Sequence, residues 1–172
     1  MKKRETTAEF LARLHSDPEW VRQNQERERK RQEFSQMLAD EERPLLADLA
    51  AVGWQVESVW DLVNTAKRYP VAVPVLLEHL QRPYHNRIRE GIARALTVPD
   101  ARGSGAWEIL RELKRSHSAV EKEFRWTLIN ALTVVADRSM FQEIESLTHD
   151  DRFKDQLLIK RILKRISPKR RA

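Results

Sequence analysis

The chain has 172 residues, a formal net charge of +6 and a charged fraction of 34%, above the roughly 25% that is usual for globular proteins. It contains no cysteine, which excludes disulfide bonds, thiolate catalysis and cysteine-ligated metal. No stretch approaches the roughly 20 apolar residues of a membrane span, and no apolar run follows the charged first residues, so we expect a cytoplasmic protein without a membrane partner.

The first predicted elements are two helices rich in charge. Residues 6–15 predict a short helix, and Asp17 followed by Pro18 predicts the start of a second, because aspartate is a good N-cap and proline suits the first helical position. The second helix should run to about Leu38, and its polarity on all sides prevents it from being held by core packing. We therefore predict a charged helical arm over residues 1–39. Its expected anchors are apolar: Trp20, Phe34 and Leu38.

Residues 40–68 are predicted to form a pair of N-terminal capping helices. Pro44 should interrupt or restart the chain's second helix, because the residue before a proline resists the α region. Ser58 with Asp61 three residues later has the pattern of a capping box. This box predicts a short helix over about 58–66.

From residue 69 onward the sequence predicts three helix pairs, which are 70–81 with 84–97, 104–116 with 118–136, and 139–148 with 152–166. Apolar positions recur in register in the first helices, at Leu77, Leu110 and Ile144, and in the second helices, at Ile92, Leu128 and Ile159. A period of roughly 30–40 residues with two helices per period is typical of α-solenoids of the HEAT, armadillo or TPR kind. The predicted fold is all-α: a short α-solenoid of about three HEAT-like pairs over residues 69–172, preceded by the charged arm.

The helix predicted over 118–136 should be the most buried, because its apolar residues occupy two faces and suit packing between two neighbouring repeats. Its main apolar stripe includes Leu128, whereas Trp126 lies off that stripe. Two more capping boxes are predicted to start helices of this region, and they are Ser118 with Glu121 and Ser139 with Gln142.

Three segments in succession, VWDLVNT, YPVAVPVLLEHL and PYHNRIREGIARAL, resemble a group of short bacterial HEAT-like proteins. The resemblance extends over roughly residues 40–165 and is specific only in these segments. It implies an α-solenoid fold. It brings with it no activity, cofactor or catalytic residue.

No catalytic constellation stands out in the sequence. The five histidines have no metal-ligand spacing, and we interpret them as surface or capping residues, since a zinc site needs three or four convergent ligands. Glu57 with Asp61, or Glu90 with Glu123, could pair two carboxylates, but each pattern equally describes a solvated helix face. We therefore predict that the protein is not an enzyme and uses no cofactor or metal.

Tryptophan and arginine supply the predicted partner-binding residues. We predict that Trp60 and Trp107 anchor a bound partner. The alternative is that these tryptophans only fill space between helix layers. The second helices of HEAT-like pairs usually line the binding side, and arginines recur there at equivalent repeat steps. This ladder consists of Arg87, Arg89, Arg94, Arg125 and Arg161. Plain solubility is its alternative interpretation.

The chain has a basic end after Asp155, where no acidic residue occurs. It consists of Lys160, Arg161, Lys164, Arg165, Lys169, Arg170 and Arg171. These residues could cap the last repeat and complement its helix dipole, contact nucleic acid, or attract an acidic partner.

The pattern favours a non-enzymatic protein–protein interaction module, such as an adaptor, a regulator or an immunity-like binder, that uses a HEAT-like groove. The alternative is a HEAT-like protein that binds nucleic acid through a basic concave face. The arginine ladder and the basic end support this alternative, because both could contact phosphates.

Overall fold

The computed structural model describes residues 6–117, 121–153 and 157–168, and no strand occurs among them. The α-helices in chain order are α1 (Thr7–Ser16), α2 (Pro18–Ala51), α3 (Val59–Asn64), α4 (Val73–Leu80), α5 (Asn86–Ala95), α6 (Ser104–Arg115), α7 (Lys122–Val135), α8 (Phe141–Ser146) and α9 (Leu157–Ile166). Short 3₁₀ turns lie at Pro70–Ala72, Pro99–Ala101, Arg138–Met140 and Leu147–His149. None of the helices in these ranges is both long and apolar enough to cross a bilayer. The predicted all-α class is confirmed.

The chain divides into two compact units, and the boundary lies between Asp40 and Glu41, within α2. In the first unit, α2 begins at the predicted residue, and Oδ1 of Asp17 accepts a hydrogen bond from the backbone N–H of Glu19 at 2.9 Å. Ion pairs three or four residues apart follow, namely Glu19–Arg22, Glu26–Arg29, Glu26–Lys30 and Glu28–Arg31. Exposed pairs of this spacing are weak and screened by salt, so they give the polar helix local support only.

Helix α2 continues through Pro44 to Ala51, so the predicted interruption is wrong. A proline within a helix removes one backbone hydrogen bond and costs about 3 kcal/mol. The residues after it offset this cost, because Leu45 and Leu49 are fully buried and each such side chain contributes about 1.5–3 kcal/mol on burial.

The predicted capping box at Ser58 is confirmed. Ser58 has an extended backbone (φ −153°, ψ 156°), its Oγ accepts from the backbone N–H of Trp60 at 3.3 Å, and Oδ2 of Asp61 accepts from its N–H at 3.0 Å. Glu42 of α2 adds to the cap, since its carboxylate accepts from the N–H of Val59 at 2.7 Å and from the Ser58 hydroxyl at 3.1 Å. Helix α3 is thereby tied to the last turns of α2.

The helices of the second unit pack in two rows. Helices α3, α5, α7 and α9 contact one another in that order, α4 contacts α6, and each of α4, α6 and α8 also contacts the helix that follows it. Helix α7 lies against α5, α6 and α9. Its side chains Phe124, Leu128 and Ile129 are fully buried, in agreement with a helix whose apolar residues face neighbours on two sides.

The capping box predicted for Ser139 and Gln142 is wrong. Asp137 caps the preceding 3₁₀ turn instead, because Oδ1 of its carboxylate accepts from the backbone N–H of Ser139 at 2.8 Å, and α8 begins only at Phe141. An ionised carboxylate is a stronger acceptor than a serine hydroxyl, which favours this earlier cap. Ser118 of the other predicted box lies outside the described residues.

Candidate functional site

The indole of Trp60 on α3 and the guanidinium groups of Arg87 and Arg94 on α5 form one group, the Trp60 cluster. The guanidinium carbon of Arg87 lies 5.3 Å from the centroid of the indole, and that of Arg94 lies 5.7 Å from it. Cations within about 6 Å of a tryptophan ring are attracted to its π-electrons. The cluster brings together three of the residues that the sequence predicts for partner binding.

The backbone of α5 makes this cluster possible at Gly91. Residues three and four apart share one face of a helix, so Gly91 lies between Arg87 and Arg94 on the side that meets α3. A Cβ at this position would lie 2.5 Å from Cγ1 of Val59 and 3.1 Å from Nε1 of Trp60. The absence of a side chain therefore lets α3 approach α5 closely enough for the indole to lie near both arginines.

A cleft of about 530 Å³, the first cleft, lies beside the cluster at the C-terminal ends of α3 and α5. Arg94 lines it together with Lys67 and Arg68, and Nη2 of Arg68 lies 2.5 Å from Oδ1 of Asp100. The lining thus combines three cations with one carboxylate. Its main apolar residues are Leu62, Val63, Val98 and Pro99.

The second cleft, of about 580 Å³, lies between α7 and α9. It is lined by Thr133, Val134, Arg161, Ile162, Lys164 and Arg165, and none of these described lining residues is acidic. Nη2 of Arg165 donates hydrogen bonds to the backbone carbonyls of Ala136 at 2.7 Å and Leu132 at 3.3 Å. One of the three cations thus also caps the C-terminal end of α7, where a positive charge complements the helix dipole.

Arg89, another predicted binding residue, lies in an internal ion-pair network. Its Nη2 is 2.6 Å from Oε1 of Glu112, its Nη1 is 2.8 Å from Oε1 of Glu121, and its guanidinium carbon lies 4.1 Å from the ring centroid of Phe124. The side chain is only 13% exposed. Arg89 therefore connects α5 with α6 and with the start of α7, and two carboxylates neutralise its charge within the fold.

The two exposed tryptophans of the second unit lie in different rows of helices. Trp107, the other predicted anchor, is 37% exposed on α6, beside α4. Trp126 is 43% exposed on α7, in the same row as the Trp60 cluster. Sequence reasoning missed Trp126 as an anchor, although its position off the apolar stripe, three and four residues from Glu123 and Asn130, was the available signal.

The remaining predicted binding residues are distributed over α7 and α9. Arg125 is half-buried near the start of α7, whereas Lys160, Arg161 and Lys164 are exposed on α9. Ile162 of the same helix is buried, so α9 packs against the rest of the second unit. Three further residues of the predicted basic end lie outside the described residues: Lys169, Arg170 and Arg171.

Metal-binding geometry is absent from the described part of the chain, where no three His, Asp or Glu side chains converge. His79, interpreted from sequence as a surface or capping residue, is instead fully buried, with Nε2 2.8 Å from Oδ2 of Asp48 and Nδ1 2.7 Å from the Tyr84 hydroxyl. Burial raises the pKa of Tyr84. These three side chains line neither cleft, so we interpret them as a tie between α2 and α4. His85, in contrast, caps α5 as predicted.

Comparison of the chain with protein-family models, curated proteins and solved structures gives no match. The resemblance to HEAT-like proteins therefore stays a prediction from the sequence.

Proposed function

We propose that this protein is a non-enzymatic protein-binding module, built as a short α-solenoid of HEAT-like helix pairs. Helices α5, α7 and α9 are the second helices of three pairs, and together with α3 they present one binding face. The observation that carries the proposal is the Trp60 cluster, in which a half-buried indole lies near two arginines beside the first cleft. Tryptophan and arginine are enriched among the residues that dominate protein–protein binding energy.

The helix contacts support the solenoid part of the proposal. Each pair, α4–α5, α6–α7 and α8–α9, is in contact internally, and the second helices contact one another in succession. Stacked pairs of this kind bury a continuous core between repeats and leave one side of the second helices for a partner. Trp126 and Arg161 lie on this side by their helical positions, which extends the face beyond the Trp60 cluster.

A protein partner is favoured over nucleic acid by the charges of this face. Glu123 is exposed one turn from Trp126 on α7, and half-buried Glu90 lies one turn from Arg87 on α5. A phosphate backbone would meet these carboxylates at intervals, whereas a protein partner can place its charges selectively.

Nucleic acid remains the second candidate because of one observation. The second cleft has three basic side chains and no acidic one among its described lining residues. If these contacts serve nucleic acid, log K should fall with log salt at a slope of about −0.9 per phosphate contact on duplex DNA. A flat salt response would exclude this candidate.

The testing experiment is an affinity capture from host lysate, with and without nuclease, using the full chain and matched tryptophan variants. We expect a nuclease-resistant protein partner that is lost with Trp126→Ala and retained with Trp107→Ala, because only the former tryptophan lies in the row of α5, α7 and α9. If only Trp107→Ala abolished capture of the partner, the binding face would lie on α4 and α6 instead. Turnover of a substrate that Arg94→Glu abolishes would contradict the non-enzymatic proposal.

A further inference from the structure

We propose that the two clefts hold two acidic groups of one extended segment of the partner protein. This inference rests on the proposed protein-binding function and deepens it, since it assigns the chemistry of the bound segment.

The two clefts occupy the same place in the repeat. Three residues of the first cleft, Arg94, Thr97 and Val98, are each 67 positions before a residue of the second cleft, namely Arg161, Lys164 and Arg165. The same offset relates the buried core positions Ile92 and Ile159. Each cleft also lies between its own helix and the preceding helix of the same row, α3 for the first and α7 for the second. The face therefore repeats one type of site at two positions.

The residues that line the two clefts suit a carboxylate group of the partner whose neighbouring atoms are partly apolar. The first cleft has a charge excess, because Lys67, Arg68 and Arg94 face only Asp100, and the second has no acidic residue among its described lining. Valine side chains line both clefts next to these cations. Arginine and lysine donate charge-assisted hydrogen bonds to carboxylates, and an apolar surface beside them strengthens such bonds by excluding water.

The distance between the clefts sets the spacing of the acidic groups. Adjacent packed helices lie 8–10 Å apart, and two such steps separate the α3–α5 cleft from the α7–α9 cleft, which gives roughly 16–20 Å. An extended chain advances about 3.3 Å per residue, so about six residues would connect the two acidic groups.

The charges on α5 and α7 favour a peptide over a continuous phosphate backbone. Glu90 on α5 is half-buried one turn before Arg94, Glu123 is exposed at the start of α7, and each would repel a phosphate placed beside it. Trp126 is exposed on the same helix, about two turns before the second-cleft residue Thr133, and is available for an apolar contact. A segment with two separated acidic groups fits these charges better than a chain of evenly spaced phosphates does.

The test uses the full chain and a fluorescein-labelled peptide that has two Glu-Glu pairs about six residues apart in a glycine–serine background. Fluorescence anisotropy at fixed low salt measures its dissociation constant. We expect this peptide to bind about tenfold more tightly than one in which either pair is Gln-Gln, because the second contact becomes intramolecular. Equal affinities of the two peptides would overturn the inference.

Charge reversals in each cleft provide the second arm of the test. Arg94→Glu and Arg161→Glu should each weaken peptide binding about tenfold, and Lys67→Glu serves as a second variant of the first cleft if Arg94→Glu fails to fold. Arg111→Glu on α6 is the matched control and should bind like the unmodified protein.

The outcomes separate this inference from the proposed function. If only the first-cleft variants weaken binding, the two-cleft inference is wrong while a protein-binding face stands. If charge reversal in neither cleft changes the affinity for the peptide, but Trp126→Ala still abolishes capture of the native partner, the two-cleft inference is wrong and the proposed function stands. A single-stranded oligonucleotide that binds more tightly than the peptide, and loses affinity with the same reversals, would overturn both.

Discussion

Gly91 lies in direct packing contact with the indole of Trp60, and a Cβ on this glycine would be only 3.1 Å from Nε1 of the ring. The same Cβ would be 2.5 Å from Cγ1 of Val59, which is fully buried and cannot move aside easily. Any side chain at this position would therefore push α3 away from α5. Because Trp60 lies near Arg87 and Arg94 only across this contact, the glycine sets the geometry of the whole cluster.

We expect Gly91→Ala to lower the free energy of unfolding by about 1–3 kcal/mol, which is the usual cost of overpacking a filled site. In an open helix the same change would raise it by about 1 kcal/mol, because alanine is the better helix former. A urea titration followed by circular dichroism measures the change.

Gly105→Ala is the matched control for this prediction. This glycine is also buried in a helix, but its Cβ would lie 3.2 Å from Cδ1 of Leu77, the far end of a flexible side chain. We therefore expect little loss or a small gain of stability. Equal losses at the two glycines would mean that the contact between α3 and α5 is not the cause.

Leu128→Ala should be severely destabilising, because the side chain is fully buried in α7, which contacts α5, α6 and α9. Removing a buried leucine side chain costs about 2–5 kcal/mol, and the upper part of this range applies where the neighbours cannot collapse into the cavity. Differential scanning calorimetry should show a lowered melting temperature. Lys122→Ala, at the exposed start of the same helix, should change it little.

Local patterns predicted much of the fold because they depend on few residues. Asp17 with Pro18 and Ser58 with Asp61 start helices where expected, since their side chains satisfy backbone groups within one turn. The apolar register likewise predicted the buried positions of α7. These features need no knowledge of distant parts of the chain.

Features that depend on distant residues were not predicted. Helix α2 continues through Pro44 because burial of Leu45 and Leu49 outweighs a local preference. The repeat register placed Arg89 in a ladder of surface cations, whereas Glu112 and Glu121 hold it inside. No spacing rule distinguishes an arginine that faces solvent from one that meets a carboxylate of the next repeat.

Arg89 should therefore matter for stability much more than Arg87 does. We expect Arg89→Ala to cost about 3–5 kcal/mol, because it removes a partly buried cation from Glu121 and from the buried carboxylate of Glu112, whose other cationic partner, Arg115, lies 3.8 Å away. Arg87→Ala should cost less than about 1 kcal/mol, since it removes one contact with an aromatic ring. Urea unfolding of both variants measures the difference.

Partner capture then separates the two roles of these arginines. At a temperature where both variants are folded, Arg87→Ala should weaken capture, and Arg89→Ala should leave it unchanged. A stable Arg89→Ala variant that loses its partner would return Arg89 to the binding face, as the arginine ladder predicted.

Glu42 should give the protein a pH-dependent stability of unusual sign for a carboxyl group. Burial raises the pKa of Glu42 above its ordinary value of 4.5, and hydrogen bonds from the Val59 N–H and the Ser58 hydroxyl oppose this rise. A group with a higher pKa in the folded state binds its proton more tightly there. The contribution of Glu42 to stability is therefore fully present below its pKa in the unfolded state. It is lost as the pH rises through its pKa in the folded state.

Glu42→Gln removes this titration, so the unfolding free energy of the unmodified protein relative to the variant should fall as the pH rises above the ordinary pKa of 4.5. Asp150→Asn is the control of opposite sign, because the hydrogen bond from Arg152 lowers the pKa of Asp150. The stabilising contribution of Asp150 is present above its pKa in the unfolded state and is lost as the pH falls through its lower pKa in the folded state. Urea titrations at a series of pH values measure both differences. A flat profile for Glu42→Gln would mean that the cap of α3 holds Glu42 ionised as readily as water does, and that its burial has no electrostatic consequence.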